Sequence, residues 1–445
     1  MNRRIPIRGR NREQPHDRES RTGQAEAVAS CEPEDERGEL VTSDFTLGLD
    51  EALALTLNHL EPLSSETVPL DEGIDRVAAE DLRALVDSPS VDASMKDGYA
   101  VRSESVAGAC PERPVRLILA GVAAAGIHSE DRVEPGRAVR VLTGARIPEN
   151  ADAVLAEEFA RVEGNEVVAE NSAEEGRNIL PRGTDVARGG LLVSRGTPLS
   201  PGLVGLLAAA GHDRVAVCRK PRIALIATGD EVVAPGRPLP EGKLYASNLV
   251  ALNAWCRHFG WATRCAIVRD EPDELLESLT AAVVDTDAVV TSGGAWSGDR
   301  DLVARMLERL GWQKVFHRIR IGPGKAVGFG LLGGKPVFIL PGGPPSNLMG
   351  FLQIALAGLQ RLAGYEQPGL PRIAMRLAEE IGGGHPRWTR FVFGEIKDST
   401  ELPLFHPLRA ASRLQSMADA QVLAAIPEGV DRIAAGTVIS AQLLM

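Results

Sequence analysis

Arg222-Ile223-Ala224-Leu225-Ile226-Ala227-Thr228-Gly229-Asp230-Glu231 is the stretch whose reading decides the fold. The apolar run up to Ala227 does not alternate with polar residues, which predicts a strand covered on both faces. It stops at Thr-Gly-Asp-Glu, a turn-forming string. Downstream the pattern repeats. A helix is expected from Ser247, as N-cap, to Gly260, as C′ residue, with Leu249, Leu252, Trp255, Cys256 and Phe259 along one face. A strand at 263–268, a helix from Pro272 to about Val284 and a strand at 287–291 follow. A helix from about Asp301 to Leu310, strands at 315–321 and 336–340, and a helix from Ser346 to about Leu362 complete the series. Alternating strand and helix predict a doubly wound parallel sheet with helices on both faces.

The pattern changes on either side. Leu47, Leu49, Leu53, Leu57 and Leu60 predict an amphipathic helix ending before Pro62. Short apolar runs at 115–119, 138–142 and 153–155, punctuated by Gly and Pro, predict a small β domain. Beyond Gly364 the helical period fades. Runs at 373–377, 391–393, 422–426 and 438–439 predict a C-terminal β-barrel. The whole is a multidomain α/β plus β chain, as its 445 residues require.

Composition excludes several classes of function. A net charge of −11 argues against general nucleic-acid binding, which needs a basic face. No apolar run is long enough to cross a bilayer, so no membrane role is expected and the cytoplasm is the expected location. Residues 1–43 are rich in charge and poor in large apolar groups, so a disordered tail is expected. Cys31, Cys110, Cys218, Cys256 and Cys265 are scattered and form no C-x-x-C, which argues against a disulfide framework or a zinc site. Cys256 reads as a small buried hydrophobe.

The chemistry gathers at the carboxyl ends of the expected strands, where open α/β sheets bind ligands. Thr228-Gly229-Asp230-Glu231 is the first such end. Thr291-Ser292-Gly293-Gly294, leading to Gly298-Asp299-Arg300-Asp301, is the second. Leu340-Pro341-Gly342-Gly343-Pro344-Pro345-Ser346, running into a helix, is the third. Glycines let backbone N–H groups approach an oxyanion closely, and Ser292 and Ser346 add hydroxyls. Glu231, Asp299 and Asp301 beside such a cradle suggest Mg²⁺, which bridges carboxylate and phosphate oxygens. Helix N-capping by Asp301 is the alternative, and both readings stay open. Lys325, with Arg318 and Arg320 on the preceding strand, supplies candidate counter-charges for an anion, with a solvated strand edge as the alternative. Ser94-Met95-Lys96-Asp97-Gly98-Tyr99-Ala100-Val101-Arg102 reads from its residues only as a turn.

Together these strings resemble the MoeA family, whose eukaryotic relative is the E domain of gephyrin. The matches are Lys96 to Arg102, Thr143-Gly144-Ala145 with Pro148, Asn178 to Asp185, Thr228 to Glu231, Thr291 to Gly294, Pro323-Gly324-Lys325 and Leu340-Pro341-Gly342. They span roughly Leu47 to the C-terminus. The resemblance implies a molybdopterin-adenylyltransferase-like sheet domain at 45–62 and 201–366 and a small linking α+β domain at 64–92 and 171–200. It also implies a β domain at 93–170 and a barrel at 367–445. It implies a homodimer whose site lies between one subunit's sheet domain and its partner's β domain. The family's acids fall on Asp97, Asp185, Glu231, Asp270 and Asp301, and Thr143 and Ser346 match further functional positions.

The implied reaction inserts molybdate into adenylylated molybdopterin and releases AMP. In it Asp97, Asp185, Asp270 and Thr143 are catalytic, and Glu231 and Asp301 hold Mg²⁺. Ser292, Gly293, Gly294, Arg318, Lys325, Pro341, Gly342 and Ser346 bind substrate or oxyanion. The molybdopterin adenylyltransferase is a further implied partner. The sequence also departs from the family. The usual Lys-Pro-Gly-Lys-Pro is Gly322-Pro323-Gly324-Lys325-Ala326, and Arg318 replaces a neighbouring lysine. The usual Pro-Gly-Asn-Pro is Pro341-Gly342-Gly343-Pro344, Thr184 stands where Glu is common, and Ala295-Trp296 replaces Val-Ser. A paralogue using tungstate or a modified pterin, and a non-catalytic gephyrin-like scaffold, are the alternative readings.

Overall fold

The computed structural model describes residues 46–126, 132–294, 302–383, 385–409 and 412–444, all within the compact unit Phe45–Met445. The tail 1–43, Asp299 and Asp301 lie outside the described residues.

The decisive stretch forms the strand Arg222–Thr228, inside a six-stranded sheet. In space the order is Ala262–Val268, Arg222–Thr228, Ala288–Ser292, Lys335–Leu340, Gly328–Leu332 and Gln313–His317. Successive side chains of the decisive strand point to opposite faces. Ile223, Leu225 and Ala227 enter one core with Leu252, Phe351 and Ala52 of the N-terminal helix Leu49–Asn58. Ala224 and Ile226 enter the other with Leu275, Leu279, Met306 and Leu307. Burying each large aliphatic or aromatic side chain contributes about 1.5–3 kcal/mol, which explains the lack of polar alternation. Cys256 is fully buried in the first core, and burial, then Cys265, pushes its thiol up to about 12.

The sheet is not wholly parallel. Its first four strands are parallel, but Gly328–Leu332 runs antiparallel to both its neighbours, so Gln313–His317 at the edge runs again in the direction of the first four. The missed strand, Gly-Phe-Gly-Leu-Leu, is diluted by glycine. It turns back through Gly333-Gly334, both at positive φ, as a two-residue hairpin does. The expected strand at 315–321 is therefore two pieces. Arg318, at φ 74°, ends the first, and Ile321–Gly322 pairs instead with the barrel strand Thr389–Lys397. Ser247 is the first helical residue rather than the cap. Ala246 occupies the cap position, without a side-chain hydrogen bond. The last helix begins at Pro344, two residues before Ser346, and runs to Leu362 through a π segment at Phe351–Ala355.

The helix Pro201–Ala209, capped by Ser200, and the strand Arg214–Cys218 were expected with the sheet domain. They pack elsewhere, because Leu207, Val215 and Val217 share a core with Val68, Leu82 and Val193 of the linking region. The β domain is one six-stranded curled sheet, with Gly98–Val101 between Ala153–Ala156 and Arg137–Val141. In the C-terminal region Thr389–Lys397, Leu404–Pro407, Arg372–Leu377, Val438–Leu443 and Val422–Ile426 follow one another. Pairing of the first with the last closes a five-stranded barrel. No helix among the described residues is long and apolar enough to cross a membrane.

Candidate functional site

Parallel register puts three strand ends side by side. Ala227 pairs with Ser292, and Ser292 with Leu340. The loops that leave them therefore start from one edge. Gly293, at φ 100°, donates from its N–H to Leu340 O at 3.1 Å. A side chain at Gly293 would strike the Thr228 carbonyl, so only glycine lets the first two loops touch. A Cβ placed on Gly342 would sit 3.6 Å from Gly293 Cα. The Gly324 backbone lies against Ser346 O, which brings the 322–325 loop to the same edge. Ser292, Gly293, Gly294, Pro341, Gly342 and Ser346 are thus gathered as expected, with exposed Lys325 on the adjoining loop.

Two residues missed in the sequence hold this edge together. Asn347, buried at the start of the last helix, donates from Nδ2 to Ser292 Oγ at 3.0 Å and to Pro341 O at 2.9 Å. Asn248 donates to Gly342 O at 2.7 Å. The available signal was an amide placed just inside each of two helices that follow a glycine-rich or acidic turn.

Acids crowd the mouth of the first loop. The Glu231 carboxylate folds back over Gly229, whose missing Cβ would lie 2.5 Å from Glu231 Oε2. Asp270 donates from its N–H to Asp230 Oδ1 at 3.3 Å. Burial, then the charges of Asp230 and Glu231, pushes the Asp270 carboxyl above the usual range. Among the described residues no Lys or Arg forms an ion pair with these three acids; Lys243 reaches only the Asp230 carbonyl, at 2.6 Å. All-oxygen, mutually repelling donors suit a hard cation. No group of three His, Cys, Asp or Glu among the described residues could hold a metal ion. These carboxylates by themselves therefore form no metal cage, and an ion there would need phosphate oxygens and water as further ligands. Asp301, the other expected ligand and alternative helix cap, lies outside the described residues.

The cations divide. Arg320 is not a counter-charge for a ligand. It pairs with Glu428, Nη2 to Oε2 at 3.0 Å, and reaches the Thr46 carbonyl, joining the N-terminal helix to the barrel. Arg318 sits in the left-handed region, anchored by its N–H to Val327 O at 2.8 Å. Next to it, burial, then Arg318 and Lys314, holds His317 down at about 4, so this imidazole is neutral near pH 7.

Asp97 forms a separate centre in the β domain. Its Oδ1 accepts from both Thr143 N and Thr143 Oγ1, each at 2.7 Å. The Thr143 hydroxyl, then its N–H, holds the carboxyl below the usual range. Asp185 is exposed, and its N–H donates to Ser88 O at 3.0 Å. Among the described residues no hydrogen bond or ion pair joins Asp97, Thr143 or Asp185 to the sheet-edge loops.

The chain is similar over most of its length to known proteins. Residues 47–211 match the MoeA N-terminal region (domain I and II), and residues 224–361 match a probable molybdopterin binding domain. The molybdopterin molybdenumtransferase of Bacillus subtilis is 31% identical over 404 residues, covering 89% of this chain and 94% of that protein. Molybdopterin molybdenumtransferase 2 of Mycobacterium tuberculosis is 32% identical over 378 residues, covering 83% and 93%. The crystal structure of a MoeA molybdopterin biosynthesis protein from Pyrococcus horikoshii superposes with a TM-score of 0.75 at 33% identity, covering 89% of this chain and 98% of that one. With its β domain, its pterin-binding-type sheet and its closed barrel all accounted for, the chain belongs to the MoeA family of molybdopterin molybdenumtransferases.

Proposed function

We propose that the chain is a molybdopterin molybdenumtransferase that takes adenylylated molybdopterin and molybdate, places the metal on the dithiolene and releases AMP. One observation carries the reading. Three glycine-rich strand ends converge on one sheet edge, beside an acid cluster with which no Lys or Arg among the described residues forms an ion pair. Backbone N–H groups of Gly293, Gly294 and Gly342 and the hydroxyls of Ser292 and Ser346 bind the pyrophosphate and the oxyanion. Lys325 and Arg318 supply positive charge for molybdate. Glu231 and Asp301 are the residues that would hold Mg²⁺, and the ion would offset pyrophosphate charge. Asp270, with its raised carboxyl, orients water at the adenylate.

Asp97, Thr143 and Asp185 complete the site from a second copy of the chain, making the enzyme a homodimer. Support comes from Asp97 itself, a carboxylate at an exposed turn that, among the described residues, has no hydrogen bond or ion pair to the sheet edge of its own chain. The cytoplasm is the proposed location, and the molybdopterin adenylyltransferase the proposed supplier of substrate. Single turnover of purified protein with adenylylated molybdopterin tests the reading. AMP release that requires molybdate supports it. Release only with tungstate moves the function to a tungsten-using paralogue. No AMP with either oxyanion overturns the enzyme in favour of a scaffold.

A further inference from the structure

Asn347 does more than close the third loop. Its amide fixes the direction of a hydrogen bond. Pro341 O can only accept, so the atom facing it at 2.9 Å is the NH₂ group, and that group also faces Ser292 Oγ at 3.0 Å. Both amide hydrogens are then in use, and Ser292 Oγ is an acceptor in this contact. Among the described residues Ser292 makes no other side-chain hydrogen bond, so its own proton is left to donate. Ser292 is 5% exposed and directly precedes the Gly293-Gly294 turn. A buried hydroxyl with one uncommitted proton at an anion cradle is set to donate to a phosphate or molybdate oxygen.

The sequence supplies a reason for this residue. The family's usual asparagine at position 343 is Gly343 here, and an amide stands one helical turn later. Asn347 N donates to Gly343 O at 2.8 Å, so the two positions share a face of the helix start. A Cβ added at Gly343 would meet nothing within 4 Å, and its φ of −67° suits any residue.

We infer that Asn347 is a positioning residue that sets the Ser292 hydroxyl as a hydrogen-bond donor to the bound oxyanion, in place of an amide at position 343. This rests on the functional reading above.

The test titrates wild type, Ser292→Ala, Asn347→Ala, Ser292→Ala/Asn347→Ala, Asn347→Asp and Asn347→Ala/Gly343→Asn with adenylylated molybdopterin and, separately, with inorganic pyrophosphate. Asn347→Asp is expected to weaken both ligands most, on the order of a hundredfold, because a carboxylate accepts the Ser292 hydroxyl's hydrogen bond and adds negative charge. Asn347→Ala and Ser292→Ala should each lose about tenfold. Their double variant should lose no more than Ser292→Ala alone, because both remove one donor. Gly343→Asn should recover part of the Asn347→Ala loss, which a purely structural staple would not do. Should Asn347→Asp fail to fold, the alanine variants and the rescue still decide. Unchanged binding in Asn347→Ala, or additive losses with Ser292→Ala, overturns the inference. Pyrophosphate binding that follows the expected series, with no binding of the pterin, upholds the inference and overturns the substrate reading. Wild type that binds neither ligand overturns both.

Discussion

The two ends of the parallel sheet carry carboxylates with opposite fates. At the amino end Asp287, 8% exposed, accepts from Arg219 Nη1 and Nη2 at 2.8 and 2.9 Å and from Arg222 N at 2.8 Å. Burial opposes its charge, but the Arg219 and Arg222 contacts outweigh burial and hold it below the usual range. At the carboxyl end Asp270 is pushed the other way by burial and by Asp230 and Glu231. One end is complete within the protein. The other is held in a state that a cation or a bound ligand would relieve. Such unrelieved charge marks a working site more clearly than charge content does.

The largest expected effect lies at the crowded end. Glu231→Gln should slow AMP release on the order of a hundredfold while leaving the melting temperature unchanged or slightly raised, since it removes repulsion. Asp97→Asn should be similarly slow, and in the proposed homodimer mixed dimers of the two variants should regain activity, because one site per dimer would be intact. A lowered melting temperature with normal turnover in Glu231→Gln would make the two ends alike and break the comparison.

Asp287→Asn should do the reverse. Breaking the pair leaves Arg219 without its counter-charge, at a cost of about 2 kcal/mol, discounted from the fully buried case because Arg219 is a third exposed. Chemical denaturation would show it, with turnover per folded enzyme unchanged.

The pH dependence sharpens the contrast through its sign. The lowered Asp287 carboxyl stabilises the fold above its unfolded value of about 4, and that contribution is lost as pH falls through the lower folded value. Asp270 acts oppositely: its repulsion destabilises the fold above its raised folded value and is relieved as pH falls through it. Acid titration of stability should therefore be shallower in Asp287→Asn than in wild type. In Glu231→Gln the relief from Asp270 should shrink.

The smallest effect belongs to Thr143, the donor to Asp97, a carboxylate with the satisfied chemistry of the amino end but a proposed role in the reaction. Thr143→Val removes one of two donors, so its carboxyl should rise and the acid limb of activity should move to higher pH, with a few-fold loss near neutrality. An unmoved limb would class Asp97 with Asp287 as a structural acid.

Much of the architecture was legible because it is written in local period. The unalternating run at 222–227 announced a strand buried on both faces, and its Thr-Gly-Asp-Glu end announced the ligand edge. What was not legible depends on residues far apart in the chain. The glycine-diluted strand Gly328–Leu332 is recognisable only beside its antiparallel neighbours. Arg320 looked like a ligand cation until Glu428, far along the chain, was found against it. The helix Pro201–Ala209 is apolar all round, so no face of it names the domain that covers it.

The sequence by itself determined the strand ends, their glycines and their acids, because backbone freedom and side-chain charge are properties of single residues. Tertiary structure alone decided which of those groups are complete. Asp287 and Asp270 are the same residue type, and only the Arg219 guanidinium at one end and the neighbouring carboxylates at the other set them apart. Asn347 is likewise an unremarked helix residue until folding brings Ser292 and Pro341 within reach of one amide, because a hydrogen bond exists only where both partners arrive.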